Sequence, residues 1–295
     1  MRILSWNVAG LRAMLKKENL QQLLAKDDFD IVCLQETKAE EQQVKLPPDI
    51  EAKYPFRFWN STLGTTQRKG LSGTTIWSKT RPINRIAPPQ IDEEGRITTL
   101  QFEDFIIVCV YTPNSQNIES PRFEFRTQEW DKAFRKYITT LKDIKPTIIA
   151  GDLNVAHQDI DIYNAIRNKN KAPGFYDDER SQFQEHLDSG FIDVFRHLHP
   201  KQPGAFTYWN QLRPANRQNN VGWRIDYFLS GGYPHTPKQT ASGITGDSDI
   251  NGCGGLGGLP LLECGILSEV YGSDHCPLYL EVGETVASLT PTTPI

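Results

Sequence analysis

Several short motifs place an acid, an amide or a histidine beside an apolar run that is typical of a buried strand. The polar residues of these motifs are Asn7, Glu36, Tyr111, Asn114, Asp152, Asn154, Asp226, Asp274 and His275. Polar groups placed just past buried strands collect at one edge of a sheet, so we expect these side chains to converge on one site. Each motif alone also suits turn chemistry, helix capping or core packing, and the argument depends on their joint appearance.

The residue types in this set favour phosphate chemistry around a hard cation. Carboxylate and amide oxygens without thiolates are ligands that suit Mg²⁺. Such a cation withdraws charge from a phosphate, while fixed donors stabilise the extra negative charge of the transition state. Asp152 beside Asn154 can align and deprotonate a water molecule. His275, when an Asp orients it, can remain cationic next to a phosphate.

Strand and helix patterns that mix along the chain would position these residues. Continuous apolar runs at 31–34, 105–111 and 147–150 indicate strands that are buried on both faces. The run at 97–102 indicates a hairpin with the strand at 105–111. Helical spacing is present in the leucines between 11 and 24, in a helix that begins at Ser120 and Pro121, and in segment 177–187. The mixture predicts the α/β class, with helices covering sheets.

Composition and charge argue against several classes of protein. The chain has 38% hydrophobic and 23% charged residues, as globular proteins do, and no apolar run long enough to span a bilayer. Its net charge of −4 argues against a surface that is basic throughout, but allows a basic face beside an acidic site. The five cysteines favour neither a zinc site nor a disulfide framework. The first residues lack a signal-peptide layout, so we expect an intracellular protein without membrane contact.

Longer motifs make a specific resemblance. They are QETK at 35–38, GDLNVAHQDID at 151–161, GFID at 190–193, FTYW at 206–209, GWRIDYF at 222–228 and SDHCP at 273–277. On these motifs the chain resembles the apurinic/apyrimidinic endonucleases of the exonuclease III family, within the endonuclease/exonuclease/phosphatase superfamily. The resemblance runs from Arg2 to about Val282, which is nearly the whole chain.

The resemblance implies a fold and an activity. The fold is a four-layer α/β sandwich, two facing mixed sheets flanked by helices, in one catalytic domain over 1–283. A glycine-rich loop at about 242–258 looks like an insertion, and a Thr/Pro-rich tail at 284–295 is expected to be disordered. The activity is Mg²⁺-dependent hydrolysis of the phosphodiester 5′ to abasic sites in duplex DNA during base excision repair, with 3′→5′ exonuclease and 3′-end-cleaning activity. Mn²⁺ would be a substitute metal.

The resemblance also implies roles for the site residues. Glu36 would be the main metal ligand, and further metal contacts would come from Asn7, Asp152, Asn154 and Asp274. Asp152 would position or activate the attacking water with the help of Asn154. His275, oriented by Asp226, would contact the scissile phosphate, and Tyr111 and Asn114 would bind that phosphate or assist the leaving oxygen. The proton carrier stays open among Asp152, Tyr111 and a water on the metal.

The implied partner is duplex DNA with an abasic site or a blocked 3′ end, bound by a monomer. An apolar pocket would accept the flipped-out abasic sugar, with walls from Phe206, Tyr208, Leu212 and Trp223. Contacts to DNA phosphates would come from Arg12, Lys38, Asn164 and Asn168. A bacterial cytoplasm, at the nucleoid, is the expected location rather than a nucleus.

One residue departs from the family pattern, and two other functions stay open. Ala9 stands where the family commonly has Asn or Asp, so one oxygen group near the metal is absent and weaker metal binding is expected. The first alternative is another phosphodiesterase or phosphatase of the superfamily, acting on RNA tails, phosphoinositides or sphingomyelin. The second is a non-catalytic DNA-binding protein on the same fold.

Overall fold

The computed structural model describes residues 1–62, 70–213, 215–232 and 260–283. Its strands are β1 (Arg2–Asn7), β2 (Ile31–Gln35), β3 (Phe56–Asn60), β4 (Thr74–Ser78), β5 (Asn84–Ile86), β6 (Ile97–Gln101), β7 (Ile106–Tyr111), β8 (Thr147–Asp152), β9 (Phe191–Asp193), β10 (Asp226–Gly231), β11 (Leu261–Ile266) and β12 (Leu278–Val282). The predicted loop at about 242–258 and the predicted tail at 284–295 lie outside the described residues.

Helices connect and cover these strands. They are α1 (Leu11–Lys17), α2 (Asn19–Lys26), α3 (Pro48–Lys53), α4 (Pro121–Glu124), α5 (Asp131–Ile144), α6 (Ala165–Asn168), α7 (Asp177–Asp188), α8 (Val194–Leu198) and α9 (Ala215–Gln218). Short 3-10 turns lie at Glu41–Gln43 and Asp159–Asp161, and a π-helical turn, Phe125–Trp130, joins α4 to α5.

Two mixed sheets of six strands form the centre of the fold. The first has the order β11–β12–β1–β2–β4–β3, and the second has the order β5–β6–β7–β8–β10–β9. Each contains one parallel pair, β1 with β2 in the first and β7 with β8 in the second, and the other neighbours are antiparallel. The predicted hairpin is confirmed as the antiparallel pair β6 and β7.

Apolar side chains fill the space between the sheets and under the helices on both sides. Ile3 and Ile107 belong to the cluster between the sheets, whereas Leu4, the next residue of β1, packs with Leu20 of α2 on the outer face. Phe134 of α5 belongs to the cluster on the outer face of the second sheet. Successive strand residues point to opposite faces, so a strand buried on both faces must be apolar throughout. The predicted four-layer α/β sandwich is therefore confirmed.

The predicted helix start at Ser120 is confirmed, and the leucine-rich segment differs from one continuous helix. The Ser120 hydroxyl accepts a hydrogen bond from the Arg122 N–H, and Pro121 lies in the first turn, where its missing N–H loses no hydrogen bond. Between residues 11 and 24, Glu18 adopts a left-handed φ of 61° and separates α1 from α2.

Two findings bear on membrane contact and on the cysteines. No helix within the described parts of the chain is long and apolar enough to cross a bilayer. Cys33, Cys109, Cys264 and Cys276 are buried and free. The described thiols therefore behave as small buried hydrophobes.

A buried network of charged residues joins three of the sequence motifs. Asp161 Oδ1 accepts hydrogen bonds from Arg196 Nη2 at 2.6 Å and from Arg224 Nε at 2.9 Å. Arg224 also donates through both terminal nitrogens to the Asp193 carboxylate, at 3.1 and 2.6 Å. All four side chains are buried. The last acid of GDLNVAHQDID and the arginine of GWRIDYF therefore stabilise the fold rather than face the site.

Candidate active site

The first sheet brings Asn7 and Glu36 to one edge. β1 ends at Asn7 and β2 ends at Gln35, and these two residues are neighbours in the parallel register. Glu36 follows Gln35 directly, so it leaves the sheet beside Asn7. Parallel strands thus deliver both polar groups to the same edge, as the sequence predicts.

The second sheet brings Tyr111, Asp152 and Asp226 together. Asp152 at the end of β8 has Tyr111 of parallel β7 on one side and Asp226 of antiparallel β10 on the other. Gly151 permits the close approach of β7 to β8 just before this point. A Cβ at Gly151, whose φ is +151°, would lie 1.9 Å from the carbonyl oxygen of Val110, so only glycine fits there.

Asn7 bridges the acids of the two sheets. Its Nδ2 donates to Glu36 Oε1 at 3.0 Å and to Asp152 Oδ2 at 2.9 Å, while its Oδ1 accepts from the Ala9 N–H at 3.0 Å. Lys38 Nζ lies 2.8 Å from Glu36 Oε2. Burial raises the pKa of Glu36, but Lys38 and Asn7 outweigh burial and hold that pKa below its usual range. Glu36 is therefore ionised at neutral pH.

The SDHCP segment is anchored on β1. Ser273 Oγ donates to the Asn7 carbonyl oxygen at 2.8 Å and accepts from the His275 N–H at 3.2 Å. Trp6 Nε1 donates to the His275 carbonyl oxygen at 3.1 Å. These contacts hold His275 beside the acids of both sheets, and Asp274 lines the same cavity.

His275 is a buried cation that Asp226 orients. Its Nδ1 lies 2.8 Å from Asp226 Oδ2, and its Nε2 lies 3.8 Å from Asp152 Oδ2. Burial lowers the pKa of His275, but the charge of Asp226 and the hydrogen bond to it raise that pKa to about 10. With Nδ1 bonded to Asp226, the imidazolium presents its Nε2–H towards Asp152 and the cavity.

Asp152 accepts hydrogen bonds on both of its oxygens. Its Oδ1 accepts from the Asn154 N–H at 2.8 Å, and its Oδ2 accepts from Asn7 Nδ2 at 2.9 Å. Burial and the charge of Asp226 raise the pKa of Asp152 to about 7, while the charge of His275 opposes the rise. A fixed carboxylate whose pKa lies near neutral pH suits the acceptance of a proton from water.

Asn114 and Asn154 form an amide pair at the cavity. Asn114 Nδ2 donates to Asn154 Oδ1 at 3.3 Å, and Asn154 Nδ2 donates to the Thr112 carbonyl oxygen at 2.8 Å. Burial and the charge of Glu36 raise the pKa of Tyr111 well above its ordinary value. The Tyr111 hydroxyl therefore stays protonated and can donate a hydrogen bond to an anion.

These groups surround a cavity of about 430 Å³. Its lining consists of Glu36, Tyr111, Asn114, Asp152, Asn154, Ala172, Pro173, Gly174, Tyr208, Asn210, Trp223, Ile225, Asp274 and His275. Tyr208 and Trp223, two of the predicted pocket walls, are joined by reciprocal backbone hydrogen bonds of 2.9 Å. The Tyr208 ring centroid lies 4.9 Å from that of His275. An aromatic wall therefore stands directly beside the acids and the histidine.

The structure places Phe206 and Leu212, the other two predicted walls, outside the lining of this cavity. Phe206 is buried in a separate apolar cluster with Trp209 and Cys276, which removes its ring from water more fully than an open cavity would. Leu212 is 90% exposed. Its N–H donates to Asn210 Oδ1 at 2.9 Å, and a contact of either residue with the abasic sugar stays a prediction.

The predicted phosphate contacts lie outside the cavity lining. Lys38 pairs with Glu36, and its side chain is 42% exposed. Arg12 is exposed on α1. Asn164 caps α6 with its side chain, and Asn168 Nδ2 donates to the Asn164 carbonyl oxygen at 3.0 Å. A phosphate-binding role for these residues stays a prediction.

Thr207 is a site residue to which the sequence analysis assigns no role. Its hydroxyl donates to Asp226 Oδ2 at 2.6 Å and accepts from the Ile225 and Asp226 N–H groups at 3.1 and 3.2 Å. It thereby fixes the carboxylate that orients His275. Its place in the FTYW motif is the one sequence signal for this role. That signal is weak, because a threonine between two aromatic residues is also typical of an ordinary strand.

Left-handed backbone conformations of non-glycine residues occur at this sheet edge. Ala9, Glu36, Lys38 and Asn154 have φ values of 48°, 51°, 49° and 49°. Such conformations are uncommon outside glycine and are held in place by surrounding contacts. The Asn side chain can form local hydrogen bonds that stabilise the left-handed conformation, whereas the Ala side chain has no polar group to do so.

The donor atoms at the cavity fit a hard cation. Oxygen donors come from Glu36, Asp152, Asn154 and Asp274. The described lining offers no sulfur atom. Glu36 already binds one cationic group, the Lys38 ammonium. Asp152, Asp226 and His275 form a second group whose candidate ligand atoms lie within 4.8 Å of one another. In that group the hydrogen bond between Asp226 and His275 already occupies two of the candidate ligand atoms. The oxygen donors of Glu36, Asp152, Asn154 and Asp274 therefore suit a hard cation better than this second group does.

Comparisons with known proteins match nearly the whole chain. Residues 4–275 match the endonuclease/exonuclease/phosphatase family. The chain is 40% identical to an exodeoxyribonuclease of Bacillus subtilis (strain 168), over 95% of this chain and 98% of that protein. It is 39% identical to the DNA repair nuclease APEX1 of Danio rerio, over 95% and 81% of the two chains. The solved AP endonuclease LMAP of Leishmania major has a TM-score of 0.71 at 26% identity, over 95% of this chain and 86% of that chain.

Proposed function

Because the chain belongs to the endonuclease/exonuclease/phosphatase family, we propose that it is a DNA-repair nuclease that hydrolyses the phosphodiester 5′ to abasic sites in duplex DNA. Its similarity to an exodeoxyribonuclease and to a DNA repair nuclease supports nuclease activity on DNA, and its similarity to an AP endonuclease supports the abasic-site substrate. We propose that 3′→5′ exonuclease activity and 3′-end cleaning accompany incision. One observation carries the proposal: contacts run without a break from Asp226 through His275, Asp152 and Asn7 to Glu36. A cationic histidine, a proton acceptor and an ionised acid thus share one cavity.

Asp152 activates the attacking water in this proposal. The water oxygen forms the new bond to phosphorus as the bond between phosphorus and the 3′ oxygen of the preceding nucleotide breaks. The proton that the water loses passes to the Asp152 carboxylate, and the leaving 3′ oxygen takes up a proton to become a hydroxyl. A pKa of about 7 makes this carboxylate a stronger base than an ordinary Asp. Asn7 and Asn154 restrict its rotation through one hydrogen bond to each oxygen. Among Asp152, Tyr111 and a water on the metal, these contacts and the raised pKa support Asp152 as the proton carrier.

His275, Tyr111 and Asn114 bind the phosphate in this proposal. The Nε2–H of the imidazolium donates to a non-bridging phosphate oxygen, whose negative charge increases as the water attacks. Tyr111 stays protonated because burial and Glu36 raise the pKa of its hydroxyl, so it can donate to the phosphate or to the leaving 3′ oxygen. Asn114 lies at the cavity with its amide already oriented by Asn154.

The metal ligands in this proposal are Glu36 and Asp274, with Asn7, Asp152 and Asn154 as further donors. Mg²⁺, or Mn²⁺ in its place, supplies positive charge that polarises the phosphate when it is bound. Asn7 points its amide nitrogen at both acids in this structure, so its main contribution here is to hold the two carboxylates at a fixed separation.

Tyr208 and Trp223 form the wall against which an abasic sugar packs in this proposal. Extrusion of an abasic nucleotide requires no base to be unstacked or unpaired, which favours it over an intact nucleotide. We propose duplex DNA with an abasic site or a blocked 3′ end as the partner. A monomeric state, an intracellular setting at a bacterial nucleoid, and a single catalytic domain over 1–283 stay predictions.

The test of this function is incision of a duplex that carries one abasic site at a defined position. With Mg²⁺ we expect one cut, 5′ to the site, and no cut in the matched intact duplex or in the presence of chelator. A duplex with a 3′-phosphate end reports end cleaning separately. Hydrolysis of phosphoinositides, sphingomyelin or RNA tails without incision of the abasic duplex would favour another superfamily enzyme, and tight binding without hydrolysis would favour a DNA-binding protein.

Ala9→Asp is expected to lower the Mg²⁺ concentration for half-maximal incision by about 3–10-fold, since an added carboxylate increases the ligand charge near the cation. The Ala9 N–H contacts Asn7 Oδ1, and its φ of 48° is one that Asp tolerates. Magnesium titrations of the incision rate and calorimetric titration with Mg²⁺ alone measure the shift. Ala9→Asn is the matched control without the charge, and identical curves for all three proteins would refute the expectation.

A further inference from the structure

Arg126 is a fully buried arginine outside the cavity lining, and its side chain contacts two segments that enter the cavity. Its exposed fraction is 2%, and it lies in the π-helical turn between α4 and α5. Its Nη1 donates to the Pro113 carbonyl oxygen and its Nη2 to the Leu153 carbonyl oxygen, each at 2.8 Å. One planar guanidinium therefore spans the ends of two neighbouring parallel strands, β7 and β8.

The two carbonyls belong to the residues that directly precede the amide pair. Pro113 precedes Asn114, and Leu153 precedes Asn154. The side chains of Asn114 and Asn154 are hydrogen-bonded at 3.3 Å, and the Asn154 N–H donates to Asp152 Oδ1 at 2.8 Å. The separation of the two carbonyls therefore sets the separation of the amides and the direction of the donor to Asp152.

The π-helical turn places the partner that neutralises Arg126. Arg126 Nε lies 2.9 Å from both oxygens of Asp131, which is also buried. Arg126 and Asp131 are five positions apart, and in an α-helix residues at this spacing lie about 140° apart around the axis. The i to i+5 hydrogen bonds of a π-turn bring them onto one face. The irregular turn thus supplies a buried carboxylate on the side of Arg126 that does not contact the strand ends.

We propose that Arg126 is a positioning residue for hydrolysis, which fixes Asn114, Asn154 and through them Asp152 in reactive geometry. The inference rests on the proposed function. A guanidinium presents five N–H donors in a rigid fork, so it can bond two carbonyls and a carboxylate together. A lysine ammonium keeps the charge but is a point donor, and it cannot span the same three acceptors. Arg126→Lys therefore keeps the buried positive charge and removes the simultaneous hydrogen bonds to Pro113, Leu153 and Asp131.

The experiment compares Arg126→Lys with Arg196→Lys in the full chain. Arg196 is a matched control, because it is also buried, pairs with Asp161 and donates to two backbone carbonyls, of His199 and Gln202. None of these control residues lines the cavity. Multiple-turnover incision at saturating concentrations of the abasic duplex gives kcat, and binding of the same duplex with chelator gives Kd. Both are measured well below the unfolding midpoints of the variants.

We expect Arg126→Lys to lower kcat at least 10-fold and to change Kd less than twofold, because a misplacement of about 1 Å carries such a rate loss. Arg196→Lys should keep kcat within twofold of the parent even where its stability falls. In the double variant with Asn114→Ala, the total loss should be smaller than the product of the two single losses, because part of the effect of Arg126 acts through Asn114. Equal kcat for Arg126→Lys and parent, or losses that multiply in the double variant, would overturn the inference.

A structural readout separates this inference from the proposed function. We expect the amide NMR signals of Asn114 and Asn154 to shift in Arg126→Lys and to stay in place in Arg196→Lys. If the parent does not incise DNA but these signals shift, the proposed function fails and the positioning contact stands. If the parent incises DNA and the signals stay in place, the positioning inference fails alone. Should Arg126→Lys not fold, Asp131→Asn loosens the same guanidinium, and an unchanged kcat in that variant would overturn the inference.

Discussion

Asp152→Asn is expected to lower the rate of incision at an abasic site by on the order of 10³-fold, within the range typical for loss of a general base. The amide cannot take the proton from the attacking water. Its NH₂ group would also face the Asn154 N–H or Asn7 Nδ2, which are donors in the parent. Single-turnover incision of the abasic duplex at saturating Mg²⁺ measures the loss.

The control for this result separates chemistry from folding and binding. Asp159→Asn removes a carboxylate from the same GDLNVAHQDID motif, but that side chain is 72% exposed and pairs with Arg180 at the surface. We expect it to incise DNA at the parent rate. Asp152→Asn should bind the abasic duplex as tightly as the parent and unfold at a similar temperature, because removal of a buried charge offsets the lost hydrogen bond. Retention of more than a tenth of the parent rate by Asp152→Asn would contradict the assignment of Asp152 as the base.

The convergence of the site could be predicted from sequence because it follows from strand order. Asn7, Glu36, Tyr111 and Asp152 each end or follow a parallel strand, and the carboxyl ends of parallel neighbours must meet at one edge. Asp226 begins an antiparallel strand, and antiparallel pairing places that beginning at the same edge. These placements depend on where each apolar strand ends and on the direction in which it pairs. The position of the polar residues next to the apolar runs indicates the strand ends.

The direction of individual side chains in irregular segments could not be predicted in this way. Phe206 and Tyr208 lie two residues apart, yet only Tyr208 lines the cavity. Leu212 is 90% exposed in a turn where its N–H donates to Asn210 Oδ1. The pairing of Arg126 with Asp131 requires a π-helical turn, which the usual i, i+3 and i, i+4 spacing does not indicate. Each of these outcomes depends on tertiary contacts that sequence spacing does not encode.

Asp161→Ala is expected to lower the free energy of unfolding by about 3–5 kcal/mol, because removal of one partner leaves buried charge uncompensated. Asp161 accepts from Arg196 and Arg224, and Arg224 has no exposed surface from which to reach water. A loss of this size is a large part of the stability of an ordinary domain, which is about 5–15 kcal/mol. Chemical denaturation monitored by tryptophan fluorescence at pH 7 measures it.

The pH dependence of this loss identifies its electrostatic origin. Burial raises the pKa of Asp161, but Arg224 and Arg196 outweigh burial and hold that pKa below its ordinary value of 3.8. A carboxylate with a lowered folded-state pKa stabilises the fold above its unfolded-state pKa, and the stabilisation is lost as pH falls through the folded-state value. The difference in stability between the parent and Asp161→Ala should therefore be constant near neutral pH and shrink below about pH 4. Asp159→Ala, in the same 3-10 turn but exposed, should change stability by less than about 1 kcal/mol. An equal loss in both variants would show that the turn itself, rather than the buried charges, accounts for the effect.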